Sequence, residues 1–176
     1  NKPIPVPPGV QVEIEGSSVV VKGSRGTLSQ SFNPDLSILR EGDVLRVTRP
    51  SDNPNHRALH GLTGALIANM VIGVSAGYQR SLELVGAGYR AQQSGENIIL
   101  QVGHSHPVEI IPLPGVSLLV EGNNRIHVEG IDKQAVGEMA ARIRRVRRPN
   151  AYTGKGIRLS GERVRLKPGK AAGRKA

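Results

Sequence analysis

Apolar and polar residues alternate almost from the start of the chain. Val10, Val12 and Ile14 are separated by Gln11, Glu13 and Glu15, the period of a strand with one buried face. The preceding NKPIPVPPG contains four prolines and is expected to run extended along a surface. Gly16, Ser17 and Ser18 predict a turn, and VVVK, closed by Gly23, predicts a second strand. Gly26 opens a third stretch whose apolar members are Leu28 and Phe32. Asn33-Pro34-Asp35 and Glu41-Gly42-Asp43 turn the chain, and Val44, Leu45 and Val47 supply a further strand. Short strands joined by close turns predict antiparallel sheet.

At Asn53 the period changes. Asn53-Pro54 offers an N-cap with proline at the first helical position. Leu59, Leu62, Leu66 and Met70 then recur every three or four residues, predicting a helix of about five turns that ends near Gly73 or Gly77. Arg57 is its one formal charge, so the helix is expected to be covered on more than one side. No apolar run is expected to be long enough to span a bilayer.

A second round follows. Leu82, Leu84 and Val85 predict a strand, broken by Gly86-Ala87-Gly88. Tyr89 to Gln93, Ile98 to Val102, Val108 to Ile111, Val116 to Val120 and Arg125 to Val128 predict further strands. Asp132 is placed to cap a second helix, with Val136, Met139, Ala140, Ile143 and Val146 on one face. The two rounds match at an offset near 80: Gly23 with Gly103, Glu41-Gly42 with Glu121-Gly122, and Asp52 with Asp132. An internal repeat of this length implies an α+β protein of two tandem similar domains, each a small antiparallel sheet packed with one helix. The boundaries fall at residues 1–77 and 78–150, with 151–176 as a basic extension.

Charge changes the picture at the C-terminal end. From Met139 to Ala176 there are 13 Lys and Arg against one acid, Glu162, so the remaining 138 residues sum to −2. The whole net charge of +10 therefore comes from the last 38 residues, which points to a polyanionic partner. A favourable helix end accounts for one or two of the arginines Arg142, Arg144, Arg145, Arg147 and Arg148, not for five followed by eight more basic residues. Beyond Pro149, Gly154 and Gly156 flank Lys155 and allow close backbone approach to a partner. Ile157 to Leu159 and Val164 to Leu166 are expected to form a hairpin around Ser160-Gly161-Glu162, projecting Arg158, Arg163, Arg165, Lys167 and Lys170. The final AAGRKA has no apolar periodicity and is expected to be disordered until bound.

Other chemistry is sparse. There is no cysteine, which excludes disulfides, thiolate metal sites and a cysteine nucleophile. The aromatic residues are Phe32, Tyr78, Tyr89 and Tyr152, too few for a surface that stacks successive bases. Binding through phosphates and the shape of folded or duplex nucleic acid fits better. GAGYRA, Gly86 to Ala91, matches a dinucleotide-binding glycine pattern, but a turn and not a helix follows, so a strand break is expected and no cofactor. The pairs His56/His60 and His104/His106 lack a third ligand at metal spacing. The acids are scattered singly, so no catalytic constellation stands out and an enzyme is not expected. The basic helix lacks bulky apolar anchors for a membrane surface. The simplest reading is a soluble intracellular protein.

PNAYTGKGIRL, after a basic helix and before a lysine-rich tail, resembles the C-terminal signature of the large ribosomal subunit protein six family. KPIPVPPGVQVEI, HGLTGALIANMVIGVSAGY and LVGAGYRA resemble other parts of that family, in its order and over essentially the whole chain. Thr153 and Leu159 stand where the family commonly has Lys and Tyr, which puts one phosphate contact and one stacking contact in question. The resemblance implies two similar domains and a structural, non-enzymatic protein of the cytoplasmic ribosome. It also implies binding to large-subunit rRNA (23S type) near the elongation-factor site at the stalk base, with neighbouring ribosomal proteins as further partners and no small-molecule substrate. The residues expected to meet rRNA are Arg144, Arg145, Arg147, Arg148, Tyr152, Gly154, Lys155, Gly156, Arg158, Arg163, Arg165, Lys167 and Lys170. The alternative is a general nucleic-acid-binding protein without ribosomal specificity.

Overall fold

The computed structural model describes residues 2–170, and AAGRKA at 171–176, expected to be disordered, lies outside them. The chain divides into two compact units: residues up to Tyr78 together with Ile131–Lys133, and Gln79–Gly130 together with the residues from Gln134 onward.

In the first unit the alternating stretches form β1 (Ile4–Pro5), β2 (Gln11–Glu15), β3 (Ser18–Gly23), β4 (Gly26–Ser31), β5 (Ser37–Glu41) and β6 (Val44–Thr48). They pair antiparallel as two three-stranded sheets, ordered β2-β3-β4 and β1-β6-β5. The proline-rich start is more than a surface strap. Ile4 and Val6 are buried, and Ile4 pairs with Leu45. Helix α1 (Pro54–Ser75) covers the core, its N-terminus capped by Asn53, whose side chain accepts from the Asn55 N–H at 3.1 Å.

The face that α1 buries differs from the expected leucine stripe. Thr63, Ile67, Met70, Val71 and Val74 point inward, while Leu62 is 54% exposed. Apolar residues run nearly all round this helix, so spacing alone did not choose a side. The stiff, branched Ile67, Val71 and Val74 pack against Val19, Val21, Leu45 and Val47 in one core. The helix runs through Gly73 and stops at Ser75, with Gly77 at φ +78° just beyond it, the second of the two expected ends. Gly73 is buried, and the Ile131 carbonyl oxygen approaches it so closely that any Cβ there would overlap it. The helix is also, by length and composition, able to cross a membrane, contrary to the expectation from the sequence; here it is the core helix, with Ile67 and Val74 wholly buried.

The second unit repeats the plan: β7 (Tyr78–Val85), β8 (Arg90–Ser94), β9 (Asn97–Gln101), β10 (Val108–Ile110), β11 (Val116–Glu121), β12 (Arg125–Gly130) and helix α2 (Lys133–Val146). Again there are two small sheets, β8-β9-β10 and β11-β12-β7, but the latter gains a fourth strand, β13 (Gly156–Leu159), on β7. The α+β repeat is as the pattern implied, with each repeat's strands split into two sheets. Four of the five residues of the predicted face of α2 are buried, Val136, Met139, Ala140 and Ile143, and Val146 is half-buried at the helix end. Its polar residues segregate cleanly, so here spacing did choose a side.

The expected hairpin after Ser160 does not form. Ile157 to Leu159 pairs antiparallel with Leu84 to Leu82, and residues 163–166 are not a strand. Ile157 is wholly buried, so its free energy comes from the domain core, more than two partner strands of a surface hairpin would supply. Glu162 locks the following turn. Its carboxylate accepts from Arg144 Nη2 at 2.6 Å and Nε at 3.1 Å, and from the Leu159 N–H at 3.0 Å. The Arg144 bond, chiefly, holds its carboxyl below the usual glutamate range, against partial burial that pushes the other way.

Two tests follow from this packing. Ile67→Ala should cost about 2–5 kcal/mol in urea unfolding, and Leu62→Ala well under about 1, the reverse of what a Leu62-centred face requires. Because the Glu162 carboxyl is depressed in the folded state, its stabilisation is complete above the unfolded value of about 4.3 and is lost as pH falls through the lower folded value. Glu162→Gln should therefore lower stability at neutral pH, and the gap to the parent protein should close in that acid window.

Candidate nucleic-acid interface

The C-terminal cations are arranged by how α2 ends. After the last buried position, Ile143, the chain places Arg144, Arg145, Arg147 and Arg148 within little more than one turn. The end of the helix would leave carbonyls unpaired. Two are met from elsewhere in the second unit: Val146 O by His104 Nε2 at 3.0 Å, and Arg147 O by the Ile157 N–H at 2.7 Å. The negative end of the helix is thereby capped by donors of the protein itself.

Between helix and β13 the chain makes a pinned loop. The Asn150 N–H donates to Lys155 O at 2.8 Å, and the Gly154 N–H donates to Asn150 O at 2.9 Å. The Asn150 side chain accepts from the N–H groups of Tyr152 (2.8 Å) and Thr153 (3.3 Å). Gly154 has φ +74°, the left-handed region that glycine adopts freely. Lys167 closes over the loop, donating its N–H to Ala151 O at 2.7 Å. Gly156 uses its bareness inside the protein: a Cβ there would come 2.6 Å from Arg148 O. It is buried against the helix end and does not offer free backbone to a partner.

Two clefts result. One, of about 470 Å³, is lined by Tyr89, Val146, Arg147, Arg148, Asn150, Thr153 and Lys155. The other, of about 590 Å³, is lined by Gly137, Ala140, Ala141 and Leu159 together with Arg80, Arg144, Arg145, Arg148 and Glu162. Arg148 borders both.

The expected site residues divide into three groups. Arg147, Arg148 and Lys155 converge on the first cleft, and Arg144 and Arg145 on the second. Arg163, Arg165, Lys167 and Lys170 are exposed on the segment after Glu162, and Tyr152 is exposed on the loop. Two cations face acids of their own domain: Arg144 is in the bidentate pair with Glu162, and Arg158 lies 3.7 Å from Glu83. Among the described residues, no carboxylate pairs with Arg147, Arg148, Lys155, Arg163, Arg165 or Lys167.

Sequence reasoning missed Tyr89, His104, Asn150 and Arg80. Tyr89 sits in the glycine pattern GAGYRA, which leads here into β8 and not into a helix. The spacing of His104 and His106 suggests half a metal site, whereas His104 bonds Val146 O. Among the described residues there is no group of three or more side chains able to hold a metal. His60 bonds Val47 O at 2.7 Å and His56 bonds Ser51 Oγ at 2.6 Å.

Residues 6–77 and 85–159 match the family described as ribosomal protein L6, one match on each repeat. The protein is 53% identical over 174 residues to the large ribosomal subunit protein uL6 of Carboxydothermus hydrogenoformans, covering 99% of this chain and 96% of that one. The uL6 proteins of Halalkalibacterium halodurans and Listeria monocytogenes are 54% and 53% identical over 170 residues, each covering 97% of this chain and 96% of their own. Matched across both repeats and nearly end to end, the chain belongs to the ribosomal protein L6 family.

Proposed function

We propose that this protein is a structural constituent of the large subunit of the cytoplasmic ribosome. It docks on large-subunit rRNA of the 23S type through the end of α2 and the loop before β13, in the stalk-base region near the elongation-factor site. The observation that carries this reading is the convergence of Arg147, Arg148 and Lys155, without acidic partners among the described residues, on one cleft of a domain whose loop is pinned by its own hydrogen bonds. Phosphate is the ligand such donors fit, and the relatives named large ribosomal subunit protein uL6 give the phosphate its source. The reading assigns no catalytic step: His104 is engaged with Val146 O at the helix end.

Removing residues 149–176 would be a poor test, because it deletes β13 and the buried Ile157. Arg147, Arg148 and Lys155 are exposed, so charge substitution there spares the core. With six phosphates neutralised, the logarithm of the affinity for large-subunit rRNA should fall against log salt with a slope of about −5. The triple change Arg147→Ala, Arg148→Ala, Lys155→Ala should reduce that slope by about three, read by filter binding at several salt concentrations. A slope near zero in the parent protein would overturn phosphate docking. Unrelated duplex RNA and DNA serve as competitors: if they displace the protein as well as rRNA does, it is a general polyanion binder and not a specific one.

A further inference from the structure

Building on the rRNA-docking reading, we propose that the cleft beside the end of α2 receives a single unpaired nucleotide, its base against Tyr89 and its phosphates on Arg147, Arg148 and Lys155. Shape is the first argument. At about 470 Å³ the cleft falls within the roughly 300–1,000 Å³ of small-molecule sites. A duplex carries its phosphates on a convex surface and cannot enter such a hollow, whereas one extruded nucleotide can.

The wall of the cleft points the same way. The chain has four aromatic residues, and Tyr89 is the one in this cation-lined cleft. Its ring is wedged against backbone. A Cβ on Gly86 would come within 2.9 Å of ring Cδ2, and one on Gly103 within 3.3 Å of Cε1. The two glycines therefore make room for the ring. Its hydroxyl has no hydrogen-bond partner among the described residues. An aromatic wall beside cations is the pairing that grips an unstacked base together with its backbone.

Electrostatics agree. The lining holds three cations and no acid. Two of the helix-end carbonyls that would repel an anion, those of Val146 and Arg147, already accept from His104 and Ile157. Asn150 and Thr153 add an amide and a hydroxyl. The lining is thus rich in donors and suits an anionic, acceptor-rich ligand.

The test uses the full chain and two short RNA duplexes, identical except that one carries a single bulged aminopurine, a fluorescent base analogue. The bulged duplex should bind roughly tenfold tighter, the scale of one base on one aromatic ring, and its fluorescence should be quenched in the complex. Tyr89→Leu should abolish both effects and keep the salt dependence; Tyr89→Phe should retain both. Equal affinity for the two duplexes, an unquenched base, or a folded Tyr89→Leu that preserves the preference overturns the nucleotide cleft. Equal, salt-dependent binding removes the cleft and leaves phosphate docking standing. Failure of both duplexes and of rRNA to bind removes both readings. Should Tyr89→Leu fail to fold by circular dichroism, the comparison of the two duplexes on the parent protein decides.

Discussion

The basic surface depends on one strand closing onto one edge. When β13 joins β7, the Ile157 N–H reaches Arg147 O, and Gly156 is driven against the backbone of Arg148 and Pro149. That contact fixes the end of α2 relative to the loop that follows it. Lys155, one residue before β13, is then held across a cleft from Arg147 and Arg148. The wholly buried Ile157 supplies hydrophobic free energy for this closure, and the loop bonds of Asn150 remove slack from it. Long cationic side chains stay mobile in themselves, but their attachment points do not. A phosphate ligand therefore meets part of the ordering cost already met by folding.

The same closure sets a limit on how basic the surface is. A count of arginines and lysines treats each as available, yet the fold pairs three of those between Met139 and Ala176 with acids: Arg142 with Glu138, Arg144 with Glu162 and Arg158 with Glu83. Glu162 takes Arg144 in a bidentate pair and also accepts the Leu159 N–H, so one carboxylate ties the turn, the strand and the helix together. Glu83 stands across from Arg158 in the paired strands β7 and β13. Only partly exposed, such pairs are stronger than open surface ones. Sequence charge therefore finds the correct end of the molecule and overstates its free cations.

What could be read from the sequence depended on whether the deciding contacts were local. The β5–β6 and β11–β12 hairpins announce themselves through Glu41-Gly42 and Glu121-Gly122, because a glycine at φ near +60° makes each turn. Helix α2 showed its buried face because its polar and apolar residues separate. Helix α1 did not: with Leu62, Leu66, Ile67 and Val71 distributed around it, the sheets chose the face. The segment 156–166 misled for a related reason. Its alternation fits a local hairpin, whereas its partner, β7, lies more than 70 residues earlier in the chain. Tyr89 was equally hidden. Its glycine neighbours read as a break in a strand, and only the folded second unit brings it beside Lys155.

Comparison of the two repeats shows why only one carries this site. Their hairpins and helix starts correspond, as do the strand orders β1-β6-β5 and β7-β12-β11. In the first repeat the edge position is held by β1, two residues long and containing Pro5, which lacks an N–H to offer a further strand. In the second it is held by β7, eight residues long, whose edge would lie open. Strand β13 covers it. For the chain to reach that edge, α2 must end after 14 residues where α1 runs for 22, and Pro149 follows soon after the last helical residue. The residues between helix and strand are then forced into a tight loop at the edge of the cleft. Protecting the sheet edge and assembling the cationic cleft are consequently one structural act, and basic residues in that loop and its flanks inherit a fixed geometry without further machinery.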